Sequence, residues 1–513
     1  MTGTNRVHEA ADLHRRAREL WEGGRHEEAV RAWQEALSLD PGHAEALTSL
    51  AWALGQLGRP QEGVQVARRA LDLLGDEPRA RRVAGELCFL QGHFEAALKH
   101  YRLALAALER REEDWGPLRG LLHRDAGDAC YMLERFREAA REYEQAVATG
   151  GEEAYCRLWL GWARLQLGDR QGARSEFRRV CELAPDWHEP CYAAGYLRCA
   201  EGDFEEATSY LRRALRLLPE DNDEARAATA CELGNARRGL GDLAGAVALY
   251  QQAFSLDPTH AVARFNLGLA LLERGDHEEA ISAFRVAAQL DPEDEEILVE
   301  LGRACAEAGR FDEALEAYQR ALRLHPESAD AFSGLGMAYF GLGVHQTAAE
   351  HYARAAELRP EDPRARVNLA VTLEAAGRHA EADRAMEEAW RLGQEEPELC
   401  VAIARALTSH GRDPEAAARA ARRACLLDPE SADAHDALAM ALLSAGHCQA
   451  AIGPAQEAVR LMPEAAEYHF SLGLALEGTG GREQARGHFQ RALALSPGFE
   501  EARQALRRLE ESG

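Results

Sequence analysis

The chain has 513 residues, of which 60 are basic and 86 acidic, giving a net charge of −26, and 46% are apolar. That balance excludes a surface built to grip nucleic acid, because phosphate binding depends on clustered cations that displace counterions. The eleven cysteines, an odd number with no CxxC pair and no Cys/His ligand spacing, exclude a zinc module and fit a reducing compartment. No run approaches 18 apolar residues, so no membrane span is predicted. The opening segment MTGTNRVHEAADLHRRA lacks the apolar stretch of a secretory signal, and a cytoplasmic location is expected.

Taken in chain order, the sequence is periodic almost throughout. Residues 1–9 form a short extension, followed by three 34-residue repeats over 10–109 that begin near Ala10, Ala44 and Pro78. An insertion over 110–119, inside ERREEDWGPL, precedes three more repeats over 120–219, starting near Gly120, Ala154 and His188. A second insertion, 220–226, contains most of PEDNDE. Five repeats then fill 227–396 from Ala227, Ala261, Glu295, Ala329 and Pro363. The segment GQEEPE breaks the pattern before the last three, over 397–499, which start near Pro397, Ala432 and Ala466. One extra residue falls near the Gly411–Arg412 turn, and 500–513 reads as a polar capping helix.

Each repeat predicts two amphipathic helices joined by a Gly-containing turn and stopped by a Pro. AVARFNLGLALLERGDHEEAISAFRVAAQLDP, from Ala261, shows the pattern clearly. Position 20 is Ala in thirteen repeats, with Gly63 the exception, and position 27 is Ala in thirteen, with Val180 the exception. A methyl group at these sites permits close helix approach. Large side chains at position 24, such as Trp33, Tyr143, Phe177, Tyr250 and Tyr318, fill the remaining space, and Gly or Ala at position 8 lets the two helices cross.

Fourteen such copies in phase resemble the tetratricopeptide repeat (TPR) family over some 95% of the chain. The resemblance implies an all-α, right-handed α-solenoid superhelix and a concave groove lined by positions 2, 5, 9, 12 and 13 of the first helices. Carried onto this sequence, the N-terminal groove residues are Trp52, Arg79, Arg82, Arg124, Tyr155, Trp162, Tyr192 and Tyr196, accompanied by Phe89 and Tyr131. Aromatic rings interleaved with Arg suit a peptide or a partner helix. The C-terminal groove residues are Val401, Arg405, Met440, Phe470 and Leu474, together with Asp436, predicted to face outward. The single lysine, Lys99, lies on a second helix, so the two-carboxylate clamp of chaperone-adaptor TPR modules is not expected.

Chemistry is not expected. Walker A, HExxH and GxSxG patterns are missing, and the carboxylate pairs Glu27–Glu28, Glu205–Glu206 and Glu278–Glu279 fall in the first turns of second helices, where the dipole favours them. No cofactor, no metal and no catalytic residue are predicted. The expectation is a non-enzymatic scaffold that docks proteins at separate stations. Length, repeat number and an Arg- and Ala-rich composition resemble bacterial TPR polarity scaffolds. That resemblance implies a GTP-bound Ras-like GTPase as partner at 397–513, recruitment to a cell pole and promotion of type IV pilus formation. The alternative is a regulatory or substrate-recruiting subunit of a kinase, phosphatase or glycosyltransferase.

Overall fold

The computed structural model describes residues 3–75, 77–110, 115–411 and 413–511. These contain 29 α-helices and no strand. They group into two halves, Met1–Pro258 and Thr259–Gly513.

The N-terminal half holds seven helix pairs: Gly3–Glu22 with His26–Leu39, Ala44–Gln56 with Pro60–Leu74, Pro78–Leu90 with Phe94–Glu109, Gly116–Met132 with Phe136–Ala148, Glu153–Gln166 with Arg170–Leu183, His188–Glu201 with Phe204–Leu217, and Asp223–Gly239 with Leu243–Leu256. The C-terminal half holds seven more: Ala261–Arg274 with His277–Leu290, Glu295–Glu307 with Phe311–Leu324, Ala329–Gly341 with His345–Leu358, Pro363–Ala375 with His379–Gly393, Pro397–His410 with Pro414–Leu427, Ala432–Ser444 with Cys448–Leu461, and Ala466–Gly478 with Arg482–Leu495. The helix Glu500–Glu511 packs on the preceding pair, burying Ala502 and Ala505 against it.

Boundaries differ from the sequence reading at three places. The first helix starts at Gly3, so most of the expected extension is helical. The fourth repeat's first helix starts at Gly116 with Pro117 in its first turn, and the seventh's at Asp223, capped by Asn222. Both insertions therefore lengthen a helix N-terminally, which an N-capping side chain or a first-turn Pro permits. Residues 111–114 of the first insertion, and Arg412, lie outside the described residues.

The packing rule is simple. Every position-27 side chain, from Ala36 to Ala492, is fully or almost fully buried, as are the position-20 alanines. Position 8 and position 24 act together. Where position 8 is Gly, position 24 carries a ring or Leu lying against it: a Cβ on Gly127 would sit 2.7 Å from Tyr143, one on Gly268 2.6 Å from Phe284, and one on Gly302 2.7 Å from Tyr318. Where position 8 is Ala404 or Ala439, position 24 is Ala421 or Ala455. The first and eleventh repeats depart from this pairing, with Ala17 opposite Trp33 and Ala370 opposite Met386, so the trade is a tendency of the Gly-bearing crossings, where a ring needs the space a methyl would take.

The turn between paired helices carries a Gly with φ between 65° and 88° in thirteen repeats, for example Gly202, Gly275 and Gly411. The fourth repeat puts Glu134 there at φ 58°, a left-handed conformation that costs a side-chain-bearing residue about 1–2 kcal/mol.

Candidate binding surface

The first helices of repeats two to six carry the predicted N-terminal residues. Trp52 is partly buried and packs on Trp21 of the preceding first helix, with ring centroids 5.1 Å apart. Arg79 is exposed, and its guanidinium lies 5.3 Å over the Trp115 ring. Arg82 and Arg124 converge on one buried carboxylate, Asp125, at 2.6 and 2.7 Å. Arg124 also reaches Glu152 at 3.0 Å and lies 5.7 Å over the Tyr155 ring. Further along, Trp162 packs edge-on to Phe177 and against Tyr196, and Tyr196 stacks beside Tyr192. Of this group Tyr196 is the ring most open to solvent, 39% exposed.

The arginines are therefore spent internally. The sequence reading foresaw a groove of Arg and rings; the structure brings the rings together but neutralises Arg82 and Arg124 with Asp125 and Glu152. Asp125 and Asp128 were missed, although DAGD at positions 6 to 9 of the fourth repeat puts both on the first helix. Arg82 and Asp125 are 43 residues apart, so their pairing becomes visible only once repeats three and four are stacked.

Asp128 lies at the floor of a cavity of about 110 Å³ lined by Phe89, Tyr131, Met132, Tyr155 and Trp159. The Tyr143 hydroxyl donates to its Oδ1 at 2.8 Å and the Tyr155 hydroxyl to its Oδ2 at 3.3 Å. Burial pushes this carboxyl up to about 6, against the lowering effect of the Tyr143 hydroxyl. An ordinary Asp titrates near 3.9, so the folded chain carries a cost when Asp128 is ionised, above about pH 6. That cost disappears as pH falls below about 4. Asp128→Asn is therefore expected to stabilise this region by up to about 3 kcal/mol at pH 8 and by almost nothing at pH 4. Hydrogen exchange of the Gly116–Met132 helix at the two pH values measures the difference.

The C-terminal residues fare differently. Val401 does not face outward: it is buried in the core formed by repeats ten to thirteen, because the first helix beginning at Pro397 turns that side chain toward its neighbours. Phe470 is partly buried and packs against Phe489 and the capping segment's Phe499, at 5.8 and 5.0 Å. Arg405 is exposed and ion-paired with Asp433. Met440 and Leu474 remain partly exposed. Asp436 is buried, and burial pushes its carboxyl up to about 6.

The rest of the surface matches the expectation of first-turn carboxylates: Glu27–Glu28, Glu205–Glu206 and Glu278–Glu279 all occupy the first turns of second helices. Among the described residues no group of His, Cys, Asp and Glu could hold a metal ion, and no helix is long and apolar enough to cross a membrane.

Helix pairs repeated in series with small-residue crossings are the architecture of helical repeat arrays. Family models agree. A tetratricopeptide repeat model matches residues 14–78, 49–112 and 124–186, and the model for the C-terminal domain of cilia and flagella-associated protein 70 matches 187–376 and 262–469. The chain belongs to the tetratricopeptide repeat family. The overlapping placements mean that these models read the repeat unit itself.

Relatives include the CTR9 homolog of Arabidopsis thaliana, 26% identical over 39% of this chain and 18% of that protein. The TPR repeat-containing protein YpiA of Bacillus subtilis is 25% identical over 45% of this chain and 52% of that protein. Tetratricopeptide repeat protein 8 of Caenorhabditis elegans is 25% identical over 35% of each. The chain thus spans between about a fifth and a half of the length of these relatives. Among solved structures, the APC/C hetero-tetramer Cut9-Hcn1 aligns over 98% of this chain and 96% of that one, with 16% identity and a TM-score of 0.44.

Proposed function

We propose that this chain is a non-enzymatic scaffold that holds protein partners at two stations, one on the first helices of repeats two to six and one on repeats twelve to fourteen. The observation that carries the reading is the residue usage of the first helices. Rings and charges recur at groove positions such as Phe89, Asp128, Tyr131, Tyr196 and Arg405.

The finer reading assigns the partner at 397–513 as a GTP-bound Ras-like GTPase, with the chain acting at a cell pole to promote type IV pilus formation. It is supported by length, repeat number and composition, and by three repeats that follow a break at Gly393–Glu398. The full-length chain is expected to retain such a GTPase loaded with a non-hydrolysable GTP analogue at least tenfold better than its GDP form. Met440→Ala combined with Leu474→Ala should reduce that retention while leaving helicity unchanged. Equal retention of the two nucleotide forms contradicts the GTPase reading and leaves the scaffold reading standing.

A further inference from the structure

The cavity over Asp128 sets a carboxylate among rings that also pack on the core of the third to fifth repeats. Five rings line it: Phe89 from the third repeat, Tyr131 from the fourth, Tyr155 and Trp159 from the fifth, all on first helices, and Tyr143 from the fourth repeat's second helix. Phe89 and Tyr131 are braced from behind by Phe94 and Phe136, at 5.1 and 5.3 Å, and Tyr131 meets Trp159 edge-on at 5.0 Å. Met132, 51% exposed, forms the rim. The walls are thus rigid and the mouth is open.

The floor is a carboxylate, and the chain contains its own control for what that residue must do structurally. In the seventh repeat Asn235 occupies the same position 9, and the Tyr250 hydroxyl donates to its Oδ1 at 2.8 Å. In the fourth repeat the Tyr143 hydroxyl makes the same bond to Asp128 at the same distance. A neutral amide therefore satisfies the tyrosine. The negative charge at 128 goes beyond that role, and it is kept where burial opposes ionisation. Among the described residues no cation is ion-paired with Asp128; the nearby Arg124 is held by Asp125 and Glu152.

Aromatic rings around a carboxylate can attract a cation twice, through the ring quadrupoles and through charge. We propose that this pocket receives the guanidinium of an arginine side chain presented by an extended segment of a partner protein, an inference that rests on the protein-scaffold reading. Arginine fits better than lysine, because its group is planar, weakly hydrated and able to stack on a ring while donating to a carboxylate. A cavity of about 110 Å³ suits one such group and little more. The net charge of −26 draws a basic segment toward the chain.

The test uses the full-length chain labelled with 5-fluorotryptophan, with the Trp159 signal assigned by its loss in Trp159→Phe. N-acetyl-arginine-N-methylamide is titrated against its neutral isostere, the citrulline analogue. The Trp159 resonance is expected to shift saturably in the millimolar range with the arginine probe and not with citrulline. Asp128→Asn should weaken that binding at least tenfold while circular dichroism stays unchanged. Phe89→Leu, which keeps the carboxylate, should weaken it at least threefold and serves if Asp128→Asn misfolds. A citrulline response equal to arginine's, no saturable shift, or full binding by both variants overturns the proposal. A tighter response to the trimethyl-lysine counterpart overturns arginine as the occupant. Arginine binding by a chain that holds no protein partner would sink the scaffold reading and, with it, a partner's side chain as the occupant, whereas a partner docked on these helices without arginine binding would sink only this inference.

Discussion

Gly302→Ala is expected to destabilise the ninth repeat by about 2 kcal/mol, the cost of forcing a methyl into a filled core. The added Cβ would lie 2.7 Å from the Tyr318 ring, which Gly334 of the next repeat also crowds, so the ring cannot retreat. Tyr318→Ala alone is expected to cost about 3–5 kcal/mol, through lost burial and the cavity left behind. The two changes together should cost less than their sum by at least about 1 kcal/mol, because an Ala–Ala crossing is what Ala404 and Ala421, and Ala439 and Ala455, already use. Repeat arrays open locally rather than as one unit, so the readout is hydrogen exchange of Glu295–Glu307 and Phe311–Leu324 against distant repeats. Strict additivity would mean that positions 8 and 24 do not share one volume.

Asp125→Ala is expected to cost about 3–5 kcal/mol in the third and fourth repeats. The reason is less the loss of two ion pairs than what is left behind: Arg82 and Arg124, each about a fifth exposed, would face each other with only Glu152, on Arg124, left as an ion-pair partner. Asp125→Asn, which keeps a hydrogen-bond acceptor, should cost less. The loss should be visible as faster exchange in Pro78–Leu90 and Gly116–Met132, with the repeats after Ala261 unaffected. Stability within about 0.5 kcal/mol of the parent would show that the cluster is hydrated and contributes as little as an exposed pair.

These two cases mark where sequence reasoning succeeds and where it stops. Helix pairing, turn glycines and the small residues at positions 20 and 27 recur within a 34-residue window, so the sequence exposes them directly. The coupling of Gly302 to Tyr318 also lies within one repeat; it goes unseen only when positions 8 and 24 are considered separately. The binding surface is harder to read, because its neighbours come from different repeats. Arg82 looks like a free groove cation until Asp125, from the next repeat, sits 2.6 Å away. Val401 has the groove spacing, yet it is buried, as are Leu158, Cys231 and Val367 at the same position 5 of other repeats, where an apolar side chain packs against the neighbouring helices. Phe470 is likewise taken up by Phe499, 29 residues further along the chain, a contact visible only once the helices are stacked. Trp159, at position 6, lies outside the expected groove positions and becomes a pocket wall because Tyr131 of the preceding repeat reaches it.

The central claim is that first-helix surfaces dock proteins. Site-directed photo-crosslinking in the full-length chain tests it most directly, with p-benzoylphenylalanine placed singly at Met132, Tyr196 or Met440 and, as controls, at the exposed second-helix positions Arg178 and Arg354. Adducts to discrete partner proteins are expected from the first-helix positions, with those captured at Met132 joined near an arginine. Equal yields from the second-helix positions, or none from Met132, Tyr196 and Met440, would contradict it.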